Sequence, residues 1–375
     1  MIRYFDNNAT TAMDRDIGEL MLKLCTENYG NPNSVHSMGL DSNRLLEESR
    51  LRVARVLEVE PSEVFFTSSA TESINWILRS SATFRGKKNR VVTTSIEHKA
   101  TLDTLKDLKN SYGIEVIELR PERDGIVDPE KVMRAVDSET FLVSIMAANN
   151  VTGAIQPFEE LGERLKAKPI LYHVDAVQSI GKFDFKPRRV GCTFASFSAH
   201  KFHGPKGVGI TFINKGSPLR PLITGGGQER GMRSGTQNVP GIVAASLSME
   251  RAVQLSPDTN DRLSRYKERL KVEVEKLGGR INSPLKSISN TLNVSFPGIR
   301  SEVLANFLSR EGVFVGTSSA CSSRNDGGQY VLDSMGLDSR IATSAIRISM
   351  SRFTTDEDIE IIVEKLKQSI PALKF

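Results

Sequence analysis

The chain has 375 residues, 39% of them hydrophobic and 25% charged, with a net charge of +5. That is an ordinary globular composition, long enough for two domains of ~100–200 residues. The positive charge is dispersed, with clusters no larger than Arg85-Gly86-Lys87-Lys88-Asn89-Arg90, and no apolar run reaches ~18 residues, so neither a nucleic-acid partner nor a membrane span is expected.

The first residues, Met1-Ile2-Arg3-Tyr4-Phe5-Asp6, carry no leader pattern. From about residue 62 to 214, short β-rich runs alternate with longer amphipathic ones. Val64-Phe65-Phe66-Thr67 predicts a strand, followed by a helix over 71–78. A strand over 91–94 precedes a helix over 99–109. Further strands are predicted over 114–119, 141–147, 170–175, 193–197 and 208–213. Strands alternating with helices predict crossover units: an α/β fold with a mostly parallel seven-stranded sheet covered on both faces. Ligands bind beyond the carboxyl ends of such strands. Thr71, His98, Asn150, Asp175 and Lys201 each follow one.

Ser256-Pro257-Asp258-Thr259-Asn260 reads as a polar break. It divides a large domain (15–257) from a smaller α+β domain (258–375, joined by 1–14). The smaller one is predicted to hold a helix over 261–277, a strand-like run over 289–296, a helix over 301–309, a strand over 313–315 and a last helix from about 355.

Three sets of residues carry chemistry. The first is a phosphate cup. Thr67-Ser68-Ser69-Ala70-Thr71 is a turn of small residues between a strand and a helix, and a helix N-terminus attracts anions. Thr71 there supplies a hydroxyl or caps the helix. Gly225-Gly226-Gly227-Gln228 and Arg233-Ser234-Gly235-Thr236 form a second glycine-rich, hydroxyl-bearing segment. The second set suits a pyridine ring. Lys201, in Ser198-Ala199-His200-Lys201, and Asp175, in His173-Val174-Asp175-Ala176-Val177-Gln178, each end a predicted strand. A lysine to hold an aldehyde and an acid to keep a ring nitrogen protonated are what pyridoxal 5'-phosphate (PLP) chemistry requires. Gln178 can reach the ring oxygen, and His98 can stack on the ring or serve as a structural residue. His200 and His203 lack a third ligand, so no metal is expected. The third is a thiol. Of three cysteines, Cys321 lies in Gly316-Thr317-Ser318-Ser319-Ala320-Cys321-Ser322-Ser323-Arg324, a small, polar run in which reactivity explains a cysteine better than packing. Cys25 and Cys192 read as packing residues. Three cysteines without a Cys-x-x-Cys suit a reducing cytoplasm.

With these motifs the chain resembles the cysteine desulfurases, fold-type I PLP-dependent transferases of the class V aminotransferase group. The resemblance runs from Tyr4-Phe5-Asp6-Asn7-Asn8-Ala9-Thr10-Thr11 through Gly30-Asn31-Pro32-Asn33-Ser34, Ala70-Thr71-Glu72-Ser73, Glu97-His98-Lys99-Ala100 and Ser319-Ala320-Cys321 to Arg347-Ile348-Ser349. It implies that Lys201 forms a Schiff base with PLP, Asp175 pairs with the ring nitrogen, Gln178 contacts the ring oxygen and His98 stacks on the ring. It implies that Thr71, Ser198 and His200 hold the phosphate, and that Thr236 reaches the phosphate of a neighbouring subunit in a homodimer. Asn150 and Arg347 would bind the substrate carboxylate. Cys321 would take sulfur from L-cysteine as a persulfide, for an iron–sulfur scaffold or another acceptor such as the tRNA-thiolation machinery. The sequence around Cys321 matches the branch with a long cysteine-bearing loop.

Two departures stand out. The family's Asn-Asn-Glu-x-Gly is here Asn149-Asn150-Val151-Thr152-Gly153, and the chain stops soon after its last helix. A selenocysteine lyase or a small-molecule aminotransferase of the same fold is the alternative reading. A non-enzymatic scaffold would not need Lys201, Asp175, His98 and Cys321 together.

Overall fold

The computed structural model describes residues 2–317 and 328–374. In chain order the strands among them are β1 (Arg3–Phe5), β2 (Val64–Thr67), β3 (Arg90–Thr94), β4 (Glu115–Leu119), β5 (Thr140–Met146) and β6 (Leu171–Asp175). They continue with β7 (Phe194–Ser198), β8 (Gly209–Ile213), β9 (Arg280–Ile281), β10 (Thr291–Ser295), β11 (Val313–Thr317) and β12 (Ala345–Ser349).

Seven strands form one sheet in the order β2-β8-β7-β6-β5-β3-β4. Neighbours pair in parallel except at β8, which is antiparallel to both β2 and β7. The carboxyl ends of β2, β3, β5, β6 and β7 therefore meet along one edge. The strands are apolar runs because both faces are covered. Val92, Val143 and Ile145 point into one core. Val91 and Leu142 point into another, beneath α3 (Ala70–Thr83) and α4 (Lys99–Tyr112), which follow α1 (Arg15–Thr26) and α2 (Ser37–Leu57) in the chain.

The five-stranded sheet has the order β1-β11-β12-β10-β9. Its core joins Leu292, Val294, Ile346 and Ile348 to Leu263 and Leu270 of helix Ser256–Lys276 and to Ile359, Ile362 and Leu366 of helix Asp356–Leu373. Beyond β1 the chain crosses to the carboxyl edge of the large sheet. There Thr11 N donates to His200 O (2.9 Å).

The structure departs from the sequence expectations at several places. Residues 256–260 are not a break: they are the first turn of helix Ser256–Lys276. Pro257 sits in that turn, where a missing N–H breaks no helical bond, and Asp258 faces the helix's positive end. β12 was not expected, nor were the helices Arg15–Thr26, Ser37–Leu57 and Val239–Gln254. Cys25 is exposed rather than packed, whereas Cys192 is buried. Ile17 and Leu24 turn into the protein from helix Arg15–Thr26, and one residue further the helix has rotated by about 100°, which carries Cys25 outward.

Candidate active site

Each parallel strand end delivers one part of a single cavity. β2 leads into Ser69, Ala70 and Thr71, and β3 into His98. β5 leads to Asn150, β6 to Asp175 and Gln178, and β7 to Ser198, His200 and Lys201. These residues surround about 690 Å³ of space, mouth included.

Asp175 is buried at the end of β6, and its Oδ1 accepts from Val177 N (3.0 Å). Burial raises its pKa, opposed chiefly by the nearby His98. A carboxylate in this position favours a cationic N–H opposite it. His98 caps α4: Nδ1 accepts from Ala100 N (3.1 Å). A neutral ring therefore carries its proton on Nε2. Desolvation by the surrounding protein lowers the His98 pKa against the pull of Asp175.

Lys201 Nζ donates to Asn8 O (2.6 Å) and Ala9 O (2.8 Å). Burial, with help from the Arg347 charge, brings its pKa down to about 8. The amine is thus partly neutral near physiological pH, as an aldehyde-capturing lysine requires. His200 Nδ1 lies 3.2 Å from Thr10 Oγ1. Burial and then Lys201 hold the His200 pKa at about 4, so it is neutral.

The phosphate end is built on a helix start. Ser69, not Thr71, caps α3: its side chain accepts from Glu72 N (3.2 Å). This leaves the Thr71 hydroxyl out of the capping role and at the cavity wall. Gly209 of β8 packs so closely that an added Cβ would lie 2.6 Å from Ser69 O. The turn is therefore held from behind by backbone. A helix N-terminus with hydroxyls, a buried carboxylate and a low-pKa lysine match the phosphate, ring nitrogen and aldehyde of PLP.

Thr71, His98, Asn150, Asp175, Gln178, Ser198, His200 and Lys201 are thus brought together. Arg347 and Thr236 are not among the lining residues. Arg347, on β12, reaches the cavity rim by donating from Nη1 to Asn150 O (3.0 Å), while Nη2 bonds Asp6. Thr236 is exposed. Its segment is tied to α3 through Arg233 Nε, which donates to Glu72 Oε1 (2.8 Å). Cys321 lies outside the described residues. Val151, which replaces the family's acid, is 3% exposed and packs with Ile96, Val331 and Leu332 rather than lining the cavity.

Three further residues belong to this site. Asn8 supplies the carbonyl for Lys201 and also accepts from Gln178 Nε2 (3.3 Å). Lys182 donates to Gln178 Oε1 (2.7 Å), which fixes the amide's orientation. Gln178 and Lys182 lie in the turns after β6, where no helical spacing flags the pair in sequence. Glu97 is fully buried, and its Oε1 accepts from Thr94 Oγ1 (2.6 Å) and Met146 N (3.0 Å). Burial raises its pKa to about 8, so it is mainly a neutral acid.

The whole chain has relatives of the same plan. Residues 3–362 match the family model Aminotransferase class-V. A "Cysteine desulfurase IscS" of Clostridium botulinum is 39% identical over 98% of this chain and 94% of the relative. One of Methanosarcina thermophila is 37% identical over 99% and 92%. A solved "NifS-like protein" covers 100% of both chains with a TM-score of 0.95 and 49% identity. With strand-end residues suited to PLP and full-length matches of this kind, the chain belongs to the class V aminotransferase family and, within it, to the cysteine desulfurases.

Proposed function

We propose that this enzyme removes sulfur from L-cysteine, releases L-alanine, and carries the sulfur on Cys321 as a persulfide. The supporting observation is the convergence of Lys201, Asp175 and His98 on one cavity in a chain of this family. PLP is the family's cofactor; when bound, it withdraws electrons from the substrate Cα. Lys201 would hold it covalently, Asp175 would keep its ring nitrogen protonated, and Gln178 would donate to its ring oxygen. Ser198, His200, Thr71 and the start of α3 would hold its phosphate.

The chain's own residues then do the positioning. Asn150 and Arg347 bind the substrate carboxylate, and the buried Arg347 Nε has no partner among the described residues. Lys201, with its pKa near 8, takes the Cα proton and returns it. His98, protonated on Nε2, carries a proton at the cavity mouth. The Cys321 thiolate attacks the substrate sulfur. The C–S bond breaks, an S–S bond forms, and the substrate's Cβ gains a hydrogen, giving alanine. The chain re-enters the described region at Gly328 and helix Gln329–Ser334, where Tyr330 Oη donates to Glu97 O (2.7 Å).

The reading extends to a cytoplasmic homodimer in which Thr236 reaches the partner's phosphate. The persulfide serves an iron–sulfur scaffold or another acceptor such as a tRNA-thiolation protein. The test is alanine release from L-cysteine by the purified holoenzyme, compared with selenocysteine and with amino acid/keto acid pairs. Cys321→Ala should abolish persulfide formation. Full sulfide production by that variant in dithiothreitol would remove Cys321 from the mechanism.

A further inference from the structure

The strand pairings beside His98 stop unevenly. β3 pairs with β5 only as far as Thr93 opposite Ser144, whereas β5 continues beside β6 to Met146 opposite Asp175. After Thr94 the chain leaves the sheet and turns through Ile96 and Glu97 into His98. Met146 N thus lies past the end of the strand that would meet it, and a buried N–H without a partner is costly. The next amide, Ala147 N, is met from β6 by Asp175 O (2.9 Å). Glu97 supplies the acceptor that β3 does not: its Oε1 receives Met146 N (3.0 Å) and Thr94 Oγ1 (2.6 Å). A side chain replaces the missing rung of the ladder.

The rest of this turn is tied down as well. Ile96 O accepts from Asn149 Nδ2 (3.0 Å), and Glu97 O accepts from Tyr330 Oη (2.7 Å). Glu97 does not line the cavity, but its neighbour His98 does, with Met146 and Asp175. One carboxyl therefore joins the residue before His98 to the strand pair that carries Asp175. Glu97 Oε2 is buried and has no hydrogen-bond partner among the described residues. An ionised carboxylate would leave charge bare at that oxygen, so the neutral acid suits the place. Burial raises the Glu97 pKa to about 8 against the bonds from Thr94 and Met146, and the charge of Asp175 pushes in the same direction as burial.

We propose that Glu97 is a positioning residue of this enzyme: by accepting from Met146 N at the end of β5, it sets where the His98 ring stands relative to Asp175. The inference rests on His98 serving the PLP pocket as proposed above, but not on which substrate that pocket turns over. Glutamine keeps the length, the neutral charge and the acceptor of the buried acid. Aspartate is one methylene shorter and withdraws the acceptor from Met146. Alanine removes it and leaves both Met146 N and the Thr94 hydroxyl without it.

The experiment is carbon–proton NMR of the substrate-free holoenzyme labelled with carbon-13 at histidine Cε1. His98→Asn identifies the His98 resonance among the five histidines. His173, held between Ser144 Oγ and Ser196 Oγ, reports on the neighbouring strands and is the internal control. Glu97→Ala and Glu97→Asp should each move the His98 resonance and leave that of His173 in place, while Glu97→Gln should leave both. Turnover of L-cysteine should follow the same order, falling ~10–100-fold with alanine or aspartate and much less with glutamine. Glu97→Asp carries the test should Glu97→Ala fold poorly. An unmoved His98 resonance in Glu97→Asp would overturn the proposal, as would a Glu97→Gln enzyme as displaced as Glu97→Ala. Equal movement of the His173 resonance would also overturn it, by making Glu97 a support of the sheet at large. The resonances are read without substrate, so they decide the point even if L-cysteine is not turned over.

Discussion

The Ser69–Thr71 turn can be displaced without altering any group that touches the cofactor. Gly209→Ala does this. The added Cβ would stand 2.3 Å from Thr67 Oγ1, 2.5 Å from Ser69 C and 2.6 Å from Ser69 O, where ordinary contact begins at 3.4 Å. The backbone at Ser69 must give way by roughly 0.9 Å, and overpacking of this kind costs ~1–3 kcal/mol. Thr67 cannot absorb the strain alone, because its Oγ1 is already bonded to Ser69 O (3.1 Å) and Ser73 Oγ (2.8 Å). The start of α3 therefore moves with it. A misplacement near 1 Å costs up to ~100-fold in rate at a preorganised site. PLP affinity, measured by fluorescence titration of the apoenzyme, should weaken at least tenfold, and kcat/KM should fall by up to two orders of magnitude. The control is Gly113→Ala. Gly113 has a φ of +65° at the end of α4, with nothing within 4 Å of an added Cβ, so the substitution costs ~1 kcal/mol without touching the site. Wild-type cofactor affinity in Gly209→Ala, or an equal loss in Gly113→Ala, would refute the argument that this turn holds the phosphate.

Three other outcomes follow from charge and burial. Glu229→Ala removes the carboxylate that binds Arg50 through two bonds (2.8 and 2.9 Å) and accepts from Phe66 N (3.0 Å); with Arg50 2% exposed, urea unfolding should show a loss of ~3–5 kcal/mol. Covalent capture of PLP by the apoenzyme should have its half-maximal rate near pH 8, the Lys201 pKa, and should slow as pH falls through it; a midpoint near 10.5 in stopped-flow absorbance would contradict the burial of this amine. His173 is fully buried between Ser144 Oγ (2.8 Å) and Ser196 Oγ (3.0 Å), and burial lowers its pKa from 6.5 to about 3. The unfolded chain binds a proton there that the folded one does not, so stability contributed by this group is present above pH 6.5 and is lost as pH falls from 6.5 towards 3, by ~1.4 kcal/mol per unit. His173→Gln should flatten that dependence by about one proton in pH-resolved urea titrations.

The strand-end residues are legible in sequence because an apolar run fixes where a strand stops and the residue after it must face the open edge. Asp175 and Lys201 follow from that rule, whereas for His98 the rule leaves a structural role open and only the resemblance assigns it to the ring. Thr71 is legible as a site residue but not in its local role, since the helix cap falls two residues earlier on Ser69. Arg347 is different. It lies on an unpredicted strand and meets Asp6 and Asn150, both distant in sequence, so only a resemblance points to it. Glu97 and Lys182 are hidden for another reason. Their importance comes from bonds to neighbours, two accepted by Glu97 Oε1 and one donated by Lys182 Nζ, and charged residues read as surface until the fold covers them.

Asn8 shows why part of the site can only be read from the fold. Its carbonyl receives Lys201 and Gln178 from the large sheet's edge. Its amide donates to Asn150 O (3.0 Å) and to Thr291 Oγ1 (2.7 Å) of the five-stranded sheet, while its Oδ1 accepts from Asn290 Nδ2 (3.1 Å). Five contacts to segments 142 to 283 residues away meet in one asparagine. No periodicity encodes such a residue, because none of its partners is local. It also sets the geometry between the lysine that would hold the cofactor and the backbone of Asn150, which Arg347 grips from the other sheet. A shift of one sheet against the other therefore alters the spacing between the PLP lysine and the carboxylate-binding pair before it alters either group alone.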